Sequence, residues 1–149
     1  MSFQPRPDIT WPQLIAPLIA AGVAILLLAL IRAPARRRFS AILVGGAGAA
    51  YLSGGFGLLE LPFCAVMTLV AYRGLTDNRF IGAGWVMHTM WDLAHHLFGH
   101  PILPFLPLSS FGCAICDLGL AAWYFADAPS PWPWVDRRGR LAKASAAGS

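Results

Sequence analysis

Across residues 39–72 the only charged side chain is Glu60, in a stretch too long for one helix to cross a hydrocarbon core of about 30 Å at about 1.5 Å per residue. Backbone polar groups in such a stretch need partners within the protein, which in lipid means helices. Two membrane helices meeting in a turn at residues 58–62 are therefore expected, with a re-entrant pair as the alternative. The rest of the chain has the same character. Of its 149 residues 57% are hydrophobic and 12% charged, against roughly 25% charged in a soluble domain.

The apolar runs predict an all-α membrane protein, a compact bundle of five transmembrane helices at about residues 13–31, 39–57, 59–75, 80–98 and 110–126. Trp11 is placed as an interfacial anchor, and Pro12 and Pro17 fall in the first turns of the first span, where a missing N–H costs least. That run is read as a retained helix and not a cleaved signal, because Arg32, Arg36, Arg37 and Arg38 follow it instead of preceding it. Thr76-Asp77-Asn78-Arg79 is expected to be a turn with an N-cap-type residue before the fourth span. Residues 99–109 interleave Pro101, Pro104 and Pro107 with apolar side chains, too broken for a helix and too apolar for a solvent loop, and are expected to lie across the mouth of the bundle. Residues 127–149 read as a basic, largely disordered cytoplasmic tail whose start Trp132 and Trp134 hold at the interface.

Charge orients the bundle. With the N-terminus outside and the C-terminus cytoplasmic, every Lys and Arg except Arg6 lies on the cytoplasmic side, which predicts a multi-pass protein of the cell inner membrane. The net charge of +4 is spread in short clusters between apolar runs, a distribution that excludes a nucleic-acid surface. Small residues at Gly46, Ala50 and Gly54, and again at Ala49, Ser53 and Gly57, predict a face on the second span for close helix approach, either to a second copy of the chain or to another membrane protein.

The chemistry is concentrated in residues 85–101, WVMHTMWDLAHHLFGHP. Ionisable groups are costly in hydrocarbon, so His88, Asp92, His95 and His96 within one span mark a functional site. At 100° per residue, His88, Asp92 and His95 cover roughly 60° of a helix, and His96 widens this to roughly 100°. His88 and His95 are about 10 Å apart along the axis, too far to share one ion. Asp92 can pair with His88 below or with His95 or His96 above. The topology brings Glu60 and Asp117 into the same leaflet. Asp92 and His95 have the carboxylate-x-x-His spacing used in di-iron and di-manganese bundles, where other helices add carboxylates. The expectation is a divalent metal, iron, zinc or manganese, held by Asp92, His95 and His96, with His88 as a further or separate ligand. Glu60 and Asp117 are expected to be further ligands or catalytic proton-transfer groups.

Other chemistries are excluded. There is no HExxH, Cys113 and Cys116 are followed by Asp117 where covalent haem needs His, and no Gly-rich phosphate loop or nucleophile elbow is present. Cys64, Cys113 and Cys116 are too few for a disulfide scaffold and suit packing.

These motifs carry a resemblance. Tyr51-Leu52-Ser53-Gly54-Gly55, Ala71-Tyr72-Arg73-Gly74-Leu75, His88-x-x-Trp91-Asp92-x-x-His95-His96, Gly99-His100-Pro101-Ile102 and Ser109-Ser110-x-Gly112-Cys113-Ala114-Ile115-Cys116-Asp117 resemble an uncharacterised family of small bacterial integral membrane proteins. The resemblance covers the middle half of the chain and implies the membrane class without implying a substrate. Three functions fit: a membrane-embedded metalloenzyme, which the clustered ligand types favour; a non-catalytic membrane subunit or scaffold; and a transporter of protons or metal ions.

Overall fold

The computed structural model describes residues 7–52, 55–132 and 134–135. They form five α-helices and no strand: α1 (Trp11–Leu28), α2 (Ala33–Ala47), α3 (Glu60–Gly74), α4 (Asn78–Phe98) and α5 (Ser109–Phe125), with a 3-10 turn at Gly57–Leu59 before α3. Two stretches, Trp11–Leu28 and Gly57–Gly74, are long and apolar enough to cross a membrane.

Contacts between helices give the arrangement. α4 packs against α5, α3 and α2, and α1 packs on α5. Consecutive helices alternate in direction: His88 meets Asp117 while His96 meets Phe111, so α4 and α5 are antiparallel. α4 is central because its buried side chains, Ile81, Trp85, His88, Asp92 and His95 among them, recur at helical spacing along one stripe. Asp77 caps its start by accepting from the Arg79 N–H at 2.9 Å.

The end where α1 finishes and α2 begins is closed by Arg36. Its guanidinium, 4% exposed, donates to the carbonyls of Ile31 (2.9 Å), Ala29 (3.4 Å) and Ala128 (2.7 Å) and lies over the Trp123 ring. Those carbonyls follow the last turns of α1 and α5, where no intrahelical donor remains. The Arg37 guanidinium donates to the Leu75 carbonyl at 3.1 Å at the same end. Between Arg36 and the polar cluster lies the apolar core of Val44, Met67, Ile81, Trp85 and Leu120.

One boundary differs from the sequence expectation. Helix α2 begins at Ala33 and stops at Ala47, where a span to residue 57 was expected. Gly45, Gly46 and Gly48 weaken it, each by about 1 kcal/mol relative to Ala, and three-residue turns take over, with Ala49 N–H on Gly46 O and Ala50 N–H on Ala47 O, both at 3.0 Å. The Gly46/Ala50/Gly54 face is therefore not one helical face, and positions 53 and 54 lie outside the described residues. Close approach runs instead through Ala41, Gly45 and Gly48 against α3: a Cβ on Gly48 would lie 2.5 Å from Met67 Cβ. The start of the C-terminal tail is docked on α1, with Ser130 Oγ donating to Ala29 O at 2.9 Å and Trp132 Nε1 donating to Leu26 O at 3.2 Å, and Val135 is buried. Residues 136–149 lie outside the described residues.

Two substitution pairs test this packing. A Cβ on Gly84 would lie 2.4 Å from Val44 Cγ1, so Gly84→Ala is expected to cost about 1–3 kcal/mol by overpacking. Val44→Ala in the same chain should recover part of it in detergent-solubilised thermal melts; equal melting temperatures for the wild type and Gly84→Ala would refute the contact. Gly55 and Gly57 both have positive φ, 92° and 61°, a conformation that costs a side chain about 1–2 kcal/mol. Only at Gly55 would a Cβ also collide, 2.1 Å from His95 Cε1, whereas at Gly57 nothing lies within 4 Å. Gly55→Ala should therefore lower the melting temperature well beyond Gly57→Ala.

Candidate metal centre

Three helices and the turn after α2 converge on His88. Its Nδ1 lies 2.7 Å from Asp117 Oδ2 on α5 and 3.2 Å from Asp92 Oδ2 one turn along α4. Its Nε2 lies 3.0 Å from the Ala47 carbonyl oxygen, which can only accept, so Nε2 carries the hydrogen. That carbonyl, on the last residue of α2, also accepts from Ala50 N–H at 3.0 Å and meets the imidazole with its second lone pair. With Nε2–H committed, the Nδ1 lone pair of a neutral His88 points between the two carboxylates.

One nitrogen and two carboxylate oxygens, from His88, Asp92 and Asp117, lie within 4.8 Å of one another, and all three residues are buried. Such a group could hold a metal ion. Its outer partners also suit ligation: Asp92 Oδ1, the oxygen turned away from His88, accepts from the Tyr51 hydroxyl at 2.7 Å. Two carboxylates facing one imidazole leave surplus negative charge in a buried site, which a cation neutralises.

A second pair sits toward the start of α3. His95 Nε2 lies 3.0 Å from Glu60 Oε1, which also accepts from the Phe56 N–H at 3.0 Å, and Glu60 Oε2 accepts from Trp91 Nε1 at 2.9 Å. The His95 ring is stacked on Tyr51, centroids 3.7 Å apart, and Phe56 lies 4.4 Å away. Gly55 and Gly99 complete the enclosure, since a Cβ on Gly99 would lie 2.7 Å from His95 Nδ1. Glu60 already has donors for both its oxygens, so this pair is built as a buried hydrogen-bonded unit.

The expected site residues are thus distributed over two centres and a flank. His88 and Asp92 come together with Asp117. Asp92 Oδ2 faces His88 below it; His95 Nε2 meets Glu60; and His96 is buried with its ring 5.2 Å from Phe111. The shared 60° arc holds, but α5 lies on one side of it and the 55–60 segment on the other. Cys64, Cys113 and Cys116 are free thiols outside the three-ligand group. Tyr51, Ser110 and Trp91 stand in the motifs of the resemblance, but helical spacing gave them no role in the site. Their signal is a phenol, a hydroxyl and an indole N–H in stretches otherwise nearly without donors, each of which needs a partner when buried.

A cavity of about 390 Å³ opens beside this cluster, bounded by Tyr51, Gly55, His100, Pro101 and Ile102. A larger apolar one, about 470 Å³, lies between the starts of α1 and α5, lined by Pro12, Pro17 and Leu106 among others, with none of the ionisable residues in its wall.

No curated protein and no solved structure matches the chain. A family model does, described as a family of unknown function, DUF6010, and the match spans residues 12–130, so that it takes in α1 as well as the middle of the chain that carried the resemblance. The chain belongs to the DUF6010 family of unknown function.

Proposed function

We propose that the protein is a multi-pass membrane protein whose bundle holds one divalent metal ion at His88, Asp92 and Asp117 and uses it as a membrane-embedded metalloenzyme. The observation that carries the metal reading is the commitment of His88 Nε2–H to the Ala47 carbonyl while Nδ1 faces both carboxylates. A histidine ligand oriented through its other nitrogen is the usual second-shell arrangement of metal sites. Nitrogen and carboxylate donors without thiolate suit manganese, iron or zinc. Three protein ligands leave coordination positions for water or substrate, and a bound ion there would supply Lewis-acid chemistry.

Membrane embedding is supported by the outer surface. Ile15, Leu18, Ile19, Val23 and Leu27 of α1 are all at least half exposed, and only Ala21 and Leu28 of that helix are buried. A soluble domain does not leave so large a patch in water. The arginines of α2, α3 and α4 gather with the end of α5, as Arg37 on Leu75 and Arg36 on Ala128 indicate, which fits a cytoplasmic end there and an outer-leaflet centre. The break after Ala47 fits as well. Non-helical backbone at membrane depth is tolerated where protein buries it, and broken helices recur where membrane proteins place binding sites. The apolar core of Val44, Met67, Ile81 and Trp85 below His88 offers no ion pathway to the basic end, which favours an enzyme over a transporter.

Elemental analysis of protein purified in detergent without chelators is expected to give about one manganese, iron or zinc ion per chain. Asp117→Asn and His88→Ala should each remove most of it, whereas Glu60→Gln and His95→Gln should retain it. Absence of metal from folded wild type would overturn the metal reading, and loss of metal from Glu60→Gln with retention in Asp117→Asn would move the centre to the other pair.

A further inference from the structure

The carboxylate of Asp92 is joined to the loop after α4 by a line of three hydrogen bonds. The Ile102 N–H meets Ser110 Oγ at 3.0 Å, Ser110 Oγ meets the Tyr51 hydroxyl at 2.8 Å, and the Tyr51 hydroxyl meets Asp92 Oδ1 at 2.7 Å. The direction of every proton follows from the ends. A backbone N–H only donates and a carboxylate oxygen only accepts, so Ser110 donates its proton to Tyr51 and Tyr51 donates its own to Asp92. Hydrogen bonds aligned head to tail in this way strengthen one another. Next to this line the Leu103 N–H donates to Ser109 Oγ at 3.0 Å, so two consecutive loop amides are held by the first turn of α5.

Tyr51 stands at the junction. It is 5% exposed and forms part of the wall of the 390 Å³ cavity, whose other side is the loop itself at His100, Pro101, Ile102 and Pro104. The phenol therefore separates that cavity from Asp92, and its ring is fixed by stacking on His95. Anything reaching the three-ligand group from the cavity has to pass the Tyr51 hydroxyl, and moving that hydroxyl frees both Asp92 and the serine that holds Ile102.

We propose that Tyr51 is the positioning residue through which the metal centre and the 99–108 loop control each other, the cavity beside it being the entry for a hydrated divalent cation. The proposal rests on the metal reading above. Docking of the loop sets the rotation of Asp92 that turns Oδ2 toward His88 Nδ1; a bound ion fixes the same rotation and so holds the loop closed. Coupling between two equilibria is reciprocal, so whatever the closed loop adds to ion affinity the ion adds to loop closure.

The test uses the full chain in detergent, stripped with chelator and reloaded with Mn²⁺, with amide hydrogen exchange read at residues 100–104 and Mn²⁺ affinity by titration. In wild type, loading should slow exchange at Ile102 and Leu103. Tyr51→Phe keeps the ring and its stacking but removes the proton donated to Asp92. It should abolish the loading-dependent difference and weaken Mn²⁺ binding by about 10–100-fold, the range typical of lost outer-shell partners. Ser110→Ala should speed exchange at Ile102 with and without metal and also weaken binding. Asn78→Ala, which loses a hydrogen bond to Asp127 at the opposite end, serves as the comparison and should change neither readout. The inference is overturned if Tyr51→Phe binds Mn²⁺ as tightly as wild type, or if loading leaves exchange at Ile102 unchanged in protein that has taken up the ion; the centre itself then stands. Wild type that takes up no Mn²⁺, iron or zinc refutes the metal reading and this inference with it.

Discussion

The hydrogen bond from His88 Nε2 to the Ala47 carbonyl is the contact on which the rest of the site depends. Ala47 is the last residue of α2, and its carbonyl accepts from Ala50 N–H at 3.0 Å and offers its second lone pair to the imidazole. Beyond it the chain turns and brings Tyr51 into the bundle. The imidazole is thereby held in one tautomer with Nδ1 between Asp92 and Asp117. A local weakness in one helix sets the protonation pattern of a residue on another.

The same break explains the division of labour among the histidines. Beyond the end of α2, Phe56, Gly55 and Glu60 come up against the far side of α4 and enclose His95. Glu60 then has the Trp91 indole on one oxygen and His95 with Phe56 N–H on the other. A buried carboxylate so fully satisfied is stable without a metal, whereas two carboxylates gather on the one ring of His88, with the Tyr51 hydroxyl on Asp92, and carry a surplus of charge. The contrast between the two acid-histidine groups favours the His88 group as the one that could hold an ion.

Much of this was open to reading from the sequence, for a physical reason. Helix number and order follow from local hydropathy and from the placement of arginines, and the common face of His88, Asp92 and His95 follows from helical periodicity alone. The presence of Glu60 and Asp117 near that face followed from alternating helix direction. The rest depended on helix rotation, which no local pattern encodes. Periodicity shows that Asp92 can reach either way along α4, but only the placement of Asp117 on the neighbouring helix turns it toward His88. The end of α2 was obscured because GGAGAAYLSGG is apolar enough to pass for a spanning helix while its glycines disfavour one. Tyr51 stood in a motif of the resemblance without a role, because a lone phenol has no spacing to recognise; its importance comes from partners at positions 92 and 110.

The most direct test of the account is the coordination shell of the bound ion, read by X-ray absorption at the metal edge on Zn²⁺-reconstituted wild type. The His88–Asp92–Asp117 centre predicts a single imidazole at about 2.0–2.1 Å, with the remaining ligands oxygen at about 2.0–2.2 Å and no sulfur. Two imidazoles, which would bring His95 or His96 into the shell, or a scatterer at about 2.3 Å, which would bring in Cys113 or Cys116, would contradict it.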